Sequence, residues 1–148
     1  MPGYGVRGRA SKRTAWSKQR ARIVSARSYW IVTARRDGTP HAVPAWGVWM
    51  DGELIFDSGR ESRKTRDLLV NPEAVIHLDG GEDALILHGR VTRLRDRSLA
   101  RRFARAYERK YDWDYDAEDP PGLIFRFRPR VAIAFTEELI DSATRWRF

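Results

Sequence analysis

Cysteine is absent from the 148 residues, which excludes disulfides, thiolate metal sites and a cysteine nucleophile together. Histidine is scarce: His41, His77 and His88 stand alone, at spacings that match no metal motif, so structural roles in strands are expected and no metal site is. No apolar run approaches the ~20 residues of a membrane span, and the arginine-rich start carries no apolar signal core. A cytoplasmic location without a membrane partner is the resulting expectation. Neither a Gly-x-Ser-x-Gly elbow nor a Walker loop occurs. Asp112, Asp114 and Asp116 imitate the start of a calcium loop, but Ala117 takes the glycine position and Leu123 the closing glutamate position.

Acidic residues are missing from one stretch only. Residues 1–28 hold Arg7, Arg9, Lys12, Arg13, Lys18, Arg20, Arg22 and Arg27 and no Asp or Glu, which accounts for the whole net charge of +8. The rest of the chain balances 20 basic against 20 acidic side chains. The basicity therefore belongs to the N-terminal end, and a neutral remainder speaks against a nucleic-acid partner. Residues 1–13, rich in Gly and basic side chains, are expected to form a mobile arm, leaving one domain over 14–148.

Periodicity along the chain is mostly that of strands. Ser17 is placed to cap a short helix over about 18–27, with Ile23 and Val24 on its buried side. Three β-rich runs follow, over 29–34, 41–50 and 53–58. Asp37-Gly38 and Asp51-Gly52 separate them, so a three-stranded meander is expected. Residues 62–70 read as one helix with Ser62 as N-cap, Leu68 and Leu69 on its apolar side, and Asn71-Pro72 as its stop. Strands are expected over 74–78 and 84–94, and a helix capped by Asp96 that shows Leu99, Phe103, Ala106 and Tyr107 on one face. Two more strands are expected near 123–128 and 130–136. Many short strands interrupted by few helices indicate a barrel.

The chemistry-bearing segment is Phe56-Asp57-Ser58-Gly59-Arg60-Glu61-Ser62-Arg63-Lys64, where a strand ends and a helix opens. Free backbone N–H groups at a helix start favour an anion, and Ser62, Arg63 and Lys64 add a hydroxyl, a guanidinium fork and an ammonium. Cations in a first turn oppose the helix dipole unless an anion sits there. Such a turn suits a phosphate. Lys64 is expected to be partly exposed.

Ser62-Arg63-Lys64 with Leu68 and Asn71-Pro72 resembles the strand–loop–helix of pyridoxamine 5'-phosphate oxidase and its relatives. Thr33-Ala34, Asp37-Gly38-Thr39-Pro40, Val43-Pro44, Gly89 and the closing Ala143-Thr144-Arg145-Trp146-Arg147-Phe148 continue the match over roughly 17–148. The resemblance implies a mainly β (α+β) fold, a six-stranded antiparallel split β-barrel with a few short helices. It implies an oxidoreductase binding FMN at the interface of a homodimer, with deazaflavin coenzyme F-420 as the alternative cofactor and a non-enzymatic flavin-binding protein as the alternative role. Carried over, Ser62, Arg63 and Lys64 grip the phosphate. Val43, Pro44, Ala45 and Trp46 run along the flavin ring, and Asp57 and Ser58 help hold the cofactor. No residue is assigned as a catalytic acid or base, because the cofactor carries the hydride chemistry. Val43 and Val48 stand where the true oxidase has arginine and lysine, so the small-molecule substrate is not expected to be pyridoxamine phosphate.

Overall fold

The computed structural model describes residues 15–136 and 144–148. The expected mobile arm over 1–13 lies outside them. Helix α1 (Trp16–Ser25) leads into β1 (Tyr29–Ala34), β2 (Pro40–Ala45), β3 (Val48–Met50) and β4 (Glu53–Ser58). Helix α2 (Arg63–Val70), β5 (Glu73–His77), β6 (Asp83–Arg93), α3 (Arg97–Tyr111), β7 (Leu123–Thr136) and β8 (Thr144–Arg147) complete the order. All strand pairs are antiparallel, along the path β2-β1-β5-β6-β7-β4-β3, with β8 added to β7. The sheet curls into a half-barrel. It is a split barrel with seven strands on its path rather than six, and β8 as an eighth.

The extra strand arises where a meander was expected. Residues 41–50 do not form one strand: the chain kinks at Trp46-Gly47, so β2 and β3 become the two opposite ends of the path. Gly47 makes the kink possible, since a Cβ there would lie 2.9 Å from the Ile55 carbonyl and 3.1 Å from Leu54 Cδ1. The flanking turns form as the sequence dictates, with Gly38 at φ 86° and Asp51 and Gly52 at 53° and 80°. Farther on, two expected strands fuse. β7 runs through Pro129 with a bulge of its own at Arg130, which the pairing skips opposite His88/Gly89 of β6.

Two apolar clusters hold the fold. The barrel interior gathers Tyr29, Ile31, Leu54, Phe56, Ile76, Leu87, Phe125 and Phe127, all essentially fully buried. On the opposite face of β3, β4 and β7, helix α3 covers Val48, Ile55 and Ile124 with Phe103 and Ala104. A fully buried side chain of this size contributes about 1.5–3 kcal/mol, so both clusters are needed.

Helix ends follow the sequence unevenly. Ser62 and Asp96 are N-caps as expected, accepting from the backbone N–H of Thr65 and Leu99. α1 instead starts two residues early, with Ala15 at the cap, no side-chain bond there and Ser17 inside the helix. Val24 and Leu69, expected inside, are 45% and 59% exposed, because α1 and α2 each lay a narrow edge on the barrel, carried by Ile23 and Leu68.

Candidate functional site

The barrel is open along one seam. β2 pairs only with β1, and β3 covers β4 only as far as Ile55, so the outer edge of β2 and the edge of β4 over 56–58 both lack strand partners among the described residues. At one end of the seam α2 leaves β4 and packs back onto β1 and β2. The Trp46-Gly47 crossing closes the other end. The cofactor-holding residues expected from the sequence lie on β2, the Trp46-Gly47 crossing, β4 and the start of α2.

A knot of hydroxyls ties the start of α2 to β4. Thr65 Oγ1 donates to Ser58 Oγ at 2.7 Å, and Ser58 and Ser62 Oγ lie 3.0 Å apart. The Thr65 N–H donates to Ser62 Oγ at 3.2 Å. Thr65 and Ser58 are buried. Ser58 is therefore committed to positioning the helix start. The sequence reading missed Thr65, although a threonine three residues after a serine N-cap is the signal for such a local knot.

Lys64 and Arg63 leave the helix in different directions. Lys64 is buried, 8% exposed, which corrects the partial exposure expected for it. Its Nζ sits 5.5 Å from the centre of the Phe56 ring and has no hydrogen-bond partner among the described residues. Burial lowers its pKa, while the Asp57 charge works the other way. Arg63 points to the other side, its Nε 3.6 Å from Asp67 Oδ2, buried and without a hydrogen bond. Asp67 is itself held by Thr33 Oγ1 at 3.0 Å. Arg63 lines a groove of about 370 Å³ with Arg35, Arg36 and Arg66, in which Asp67 is the lone acid.

Asp57 faces the α3 side of β4. Tyr115 donates its hydroxyl to Asp57 Oδ2 at 2.7 Å. Burial raises the pKa of Asp57 against the pull of Tyr115, the Gly122 N–H and Lys64. Tyr115 was not found from the sequence, though Tyr107, Tyr111 and Tyr115 recur at helical spacing.

Along β2, Val43 and Ala45 turn inward and Pro44 outward, an alternation set by the pairing of Val43 with Ile31. Trp46 is 38% exposed and stacks on Tyr111, ring centroids 4.5 Å apart and planes 2° apart. Arg27 lies 5.5 Å from the Trp46 ring centre. Tyr111 and Lys110 pin the crossing, both donating to the Gly47 carbonyl, at 2.8 Å and 2.9 Å. Burial, with Arg27 nearby, pushes Lys110 down to about 8. Trp146 packs on Trp16 at 5.3 Å, away from the seam. No group of His, Asp or Glu able to hold a metal occurs among the described residues, and no helix there is long and apolar enough to cross a membrane.

Comparison with known proteins places this geometry. The family model described as pyridoxamine 5'-phosphate oxidase matches residues 15–137. No curated protein matches the sequence. Among solved structures, the conserved protein Rv2991 of Mycobacterium tuberculosis superposes with a TM-score of 0.73 at 18% identity, over 86% of this chain and 88% of that one. General Stress Protein 26 of Bacillus anthracis gives 0.70 at 20% identity, over 91% and 100%. An F420 reductase gives 0.58 at 22% identity, over 74% and 92%. At these identities the structures share the fold.

Proposed function

Because the chain belongs to the pyridoxamine 5'-phosphate oxidase family, we propose that it binds FMN in the seam between β2 and β4 and works as a homodimeric oxidoreductase on a small-molecule substrate. The observation that carries this reading is Lys64: a largely buried lysine at the opening of a helix, whose ammonium has no hydrogen-bond acceptor among the described residues. Partial desolvation of a cation is costly, and a phosphate held there by Lys64 and the first N–H groups of α2 would offset that cost. Arg63 lines the groove on the other side of α2 and adds positive charge near the helix start. The backbone of Val43 to Ala45 offers the free edge of β2 to the flavin ring, and Trp46 bounds its far end. When bound, the flavin supplies hydride transfer; the residues of the chain bind it, orient it and keep water from it.

The homodimer is supported by the outer face of the sheet. Trp30, His77, Ile86 and Ile133 are cross-strand neighbours over β1, β5, β6 and β7, and each is only half-buried. A row of that kind on four strands is a surface that a second copy would cover. Light scattering at micromolar concentration should give a dimer, and a stable monomer with cofactor bound would remove this part of the reading.

The absorption spectrum of the purified protein, followed by titration with FMN, riboflavin and coenzyme F-420, tests the cofactor. Saturable FMN binding with much weaker riboflavin binding is expected, and failure of FMN to bind overturns the FMN assignment. The second reading, a deazaflavin reductase, is favoured by the groove of Arg35, Arg36, Arg63 and Arg66, since F-420 carries a longer anionic tail than FMN. F-420 binding that depends on Arg35 and Arg36 would establish it. Cofactor binding without turnover of any electron donor or acceptor would instead mark a flavin-binding protein.

A further inference from the structure

Behind Asp57, away from the seam, a second cavity of about 130 Å³ opens between the end of β6, the first turn of α3 and the segment entering β7. Its volume is roughly four times a water molecule's share of the liquid, room for one small polyatomic ion. Arg60, Arg93, Arg95 and Arg97 line it, above a floor that includes the buried Leu94 and Ile124. No carboxylate is part of the lining. Arg97 reaches Glu118 only at 3.8 Å, and Arg101 already holds that carboxylate at 2.8 Å. Arg60, Arg93 and Arg95 have no ion pair among the described residues. Four exposed arginines, one from the loop after β4 and three from the stretch 93–97, thus line one small space that holds no carboxylate.

These like charges repel one another, and because the arginines are exposed, solvent screens only part of that repulsion; an anion in the cavity would relieve the rest. The start of α3 is already capped by the Asp96 carboxylate, which accepts the Leu99 N–H, so the arginines and not the helix dipole make the case for an anion. Guanidinium forks match the oxygens of phosphate and carboxylate groups. We propose that this cavity is an oxyanion-binding site, taking the phosphate or carboxylate group of a small ligand, and that it is separate from the site at Lys64. Gly122 forms the wall between it and Asp57: a Cβ on Gly122 would fall 2.4 Å from Asp57 Oδ1, so only the thickness of a glycine parts the two.

Calorimetric titration of the full chain with sodium phosphate, and in parallel with sodium acetate, tests the proposal at constant ionic strength against sodium chloride. Saturable binding of phosphate, acetate or both over chloride is expected, and which of them binds names the ligand class. Losing charge-assisted bonds from two arginines should weaken that binding by about a hundredfold or more in Arg93→Gln/Arg95→Gln. Arg105→Gln/Arg109→Gln, which removes the same charge from the exposed face of α3, should retain it, as should Lys64→Met. Should the double variant not fold, Arg60→Gln alone, in an exposed loop, serves in its place. No saturable binding by the wild type, or equal binding by the Arg93/Arg95 variant, overturns the site. Loss in Lys64→Met alone assigns the anion to the start of α2 and equally overturns it.

Discussion

Replacing Lys64 by Met separates what the ammonium does for a ligand from what it costs the fold. Met fills nearly the same volume against Phe56 and removes the charge of a residue that is 8% exposed, whose ammonium has no hydrogen-bond acceptor among the described residues. Exchanging a poorly satisfied buried ion for an apolar group is neutral to stabilising, and the residual exposure and the Phe56 ring face keep the gain small, about 1 kcal/mol for the ligand-free protein. The pH dependence gives the sign. Burial lowers the folded-state pKa of Lys64 below its unfolded value, so the wild type is penalised while Lys64 is charged in both states. The penalty fades as pH rises through the lowered folded pKa towards the ordinary lysine range. The stability advantage of Lys64→Met should therefore be largest near neutrality and close on the alkaline side. Ligand binding should move oppositely: one charge-assisted hydrogen bond is worth roughly 1.5–3 kcal/mol, so FMN affinity should fall about tenfold to a hundredfold, with riboflavin affinity nearly unchanged. Urea titrations across pH and fluorescence titrations with both flavins measure the two halves. An equal drop for riboflavin would put Lys64 at the ring, and a destabilised ligand-free variant at neutral pH would mean that the ammonium is already satisfied.

Three further outcomes follow from the same geometry. Gly89→Ala should cost about 3 kcal/mol, seen as a lower urea midpoint at unchanged slope, because its Cβ would lie 2.2 Å from the Arg128 carbonyl and 2.7 Å from Phe127 Cζ. Tyr115→Phe should lower stability by about 1–2 kcal/mol and raise the pKa of Asp57 further, since the tyrosine hydroxyl is the first of the contacts that offset the burial of that carboxyl. The deficit against wild type should be greatest above the raised pKa and shrink in acid, where Asp57 is protonated; a pH-independent deficit would refute the coupling. Removing residues 1–13 should leave both the melting temperature and the flavin titration unchanged, and a large loss of either would show that the arm packs on the barrel or closes the site.

The sequence by itself determined what depends on neighbours along the chain. The Asp-Gly turns, the Ser62 and Asp96 caps and the stop at Asn71-Pro72 are local devices, each needing only a few residues to act, and each forms where its residues stand. The Ser62-Arg63-Lys64 turn and the family resemblance were legible for the same reason. Tertiary structure decided everything that depends on which surfaces meet. A run of alternating apolar residues over 41–50 cannot announce that it will be cut at Gly47 and sent to both ends of one sheet; that follows from Gly47 meeting the Ile55 carbonyl as the barrel curls. Val24 and Leu69 match helical periodicity as well as Ile23 and Leu68 do, and only the narrow contact of each helix with the barrel leaves them in solvent. Pro129 reads as a strand break, yet β7 continues through it with a bulge at the adjacent Arg130. The site divides in the same way. That Lys64 and Arg63 stand at a helix start is written in the chain, but that one is buried beside Phe56 while the other joins Arg35 and Arg36 from a distant turn is set by what α2 packs against. Tyr115 reaches Asp57 across 58 positions of sequence, a contact no local pattern encodes, because it exists only once α3 has folded down over β4.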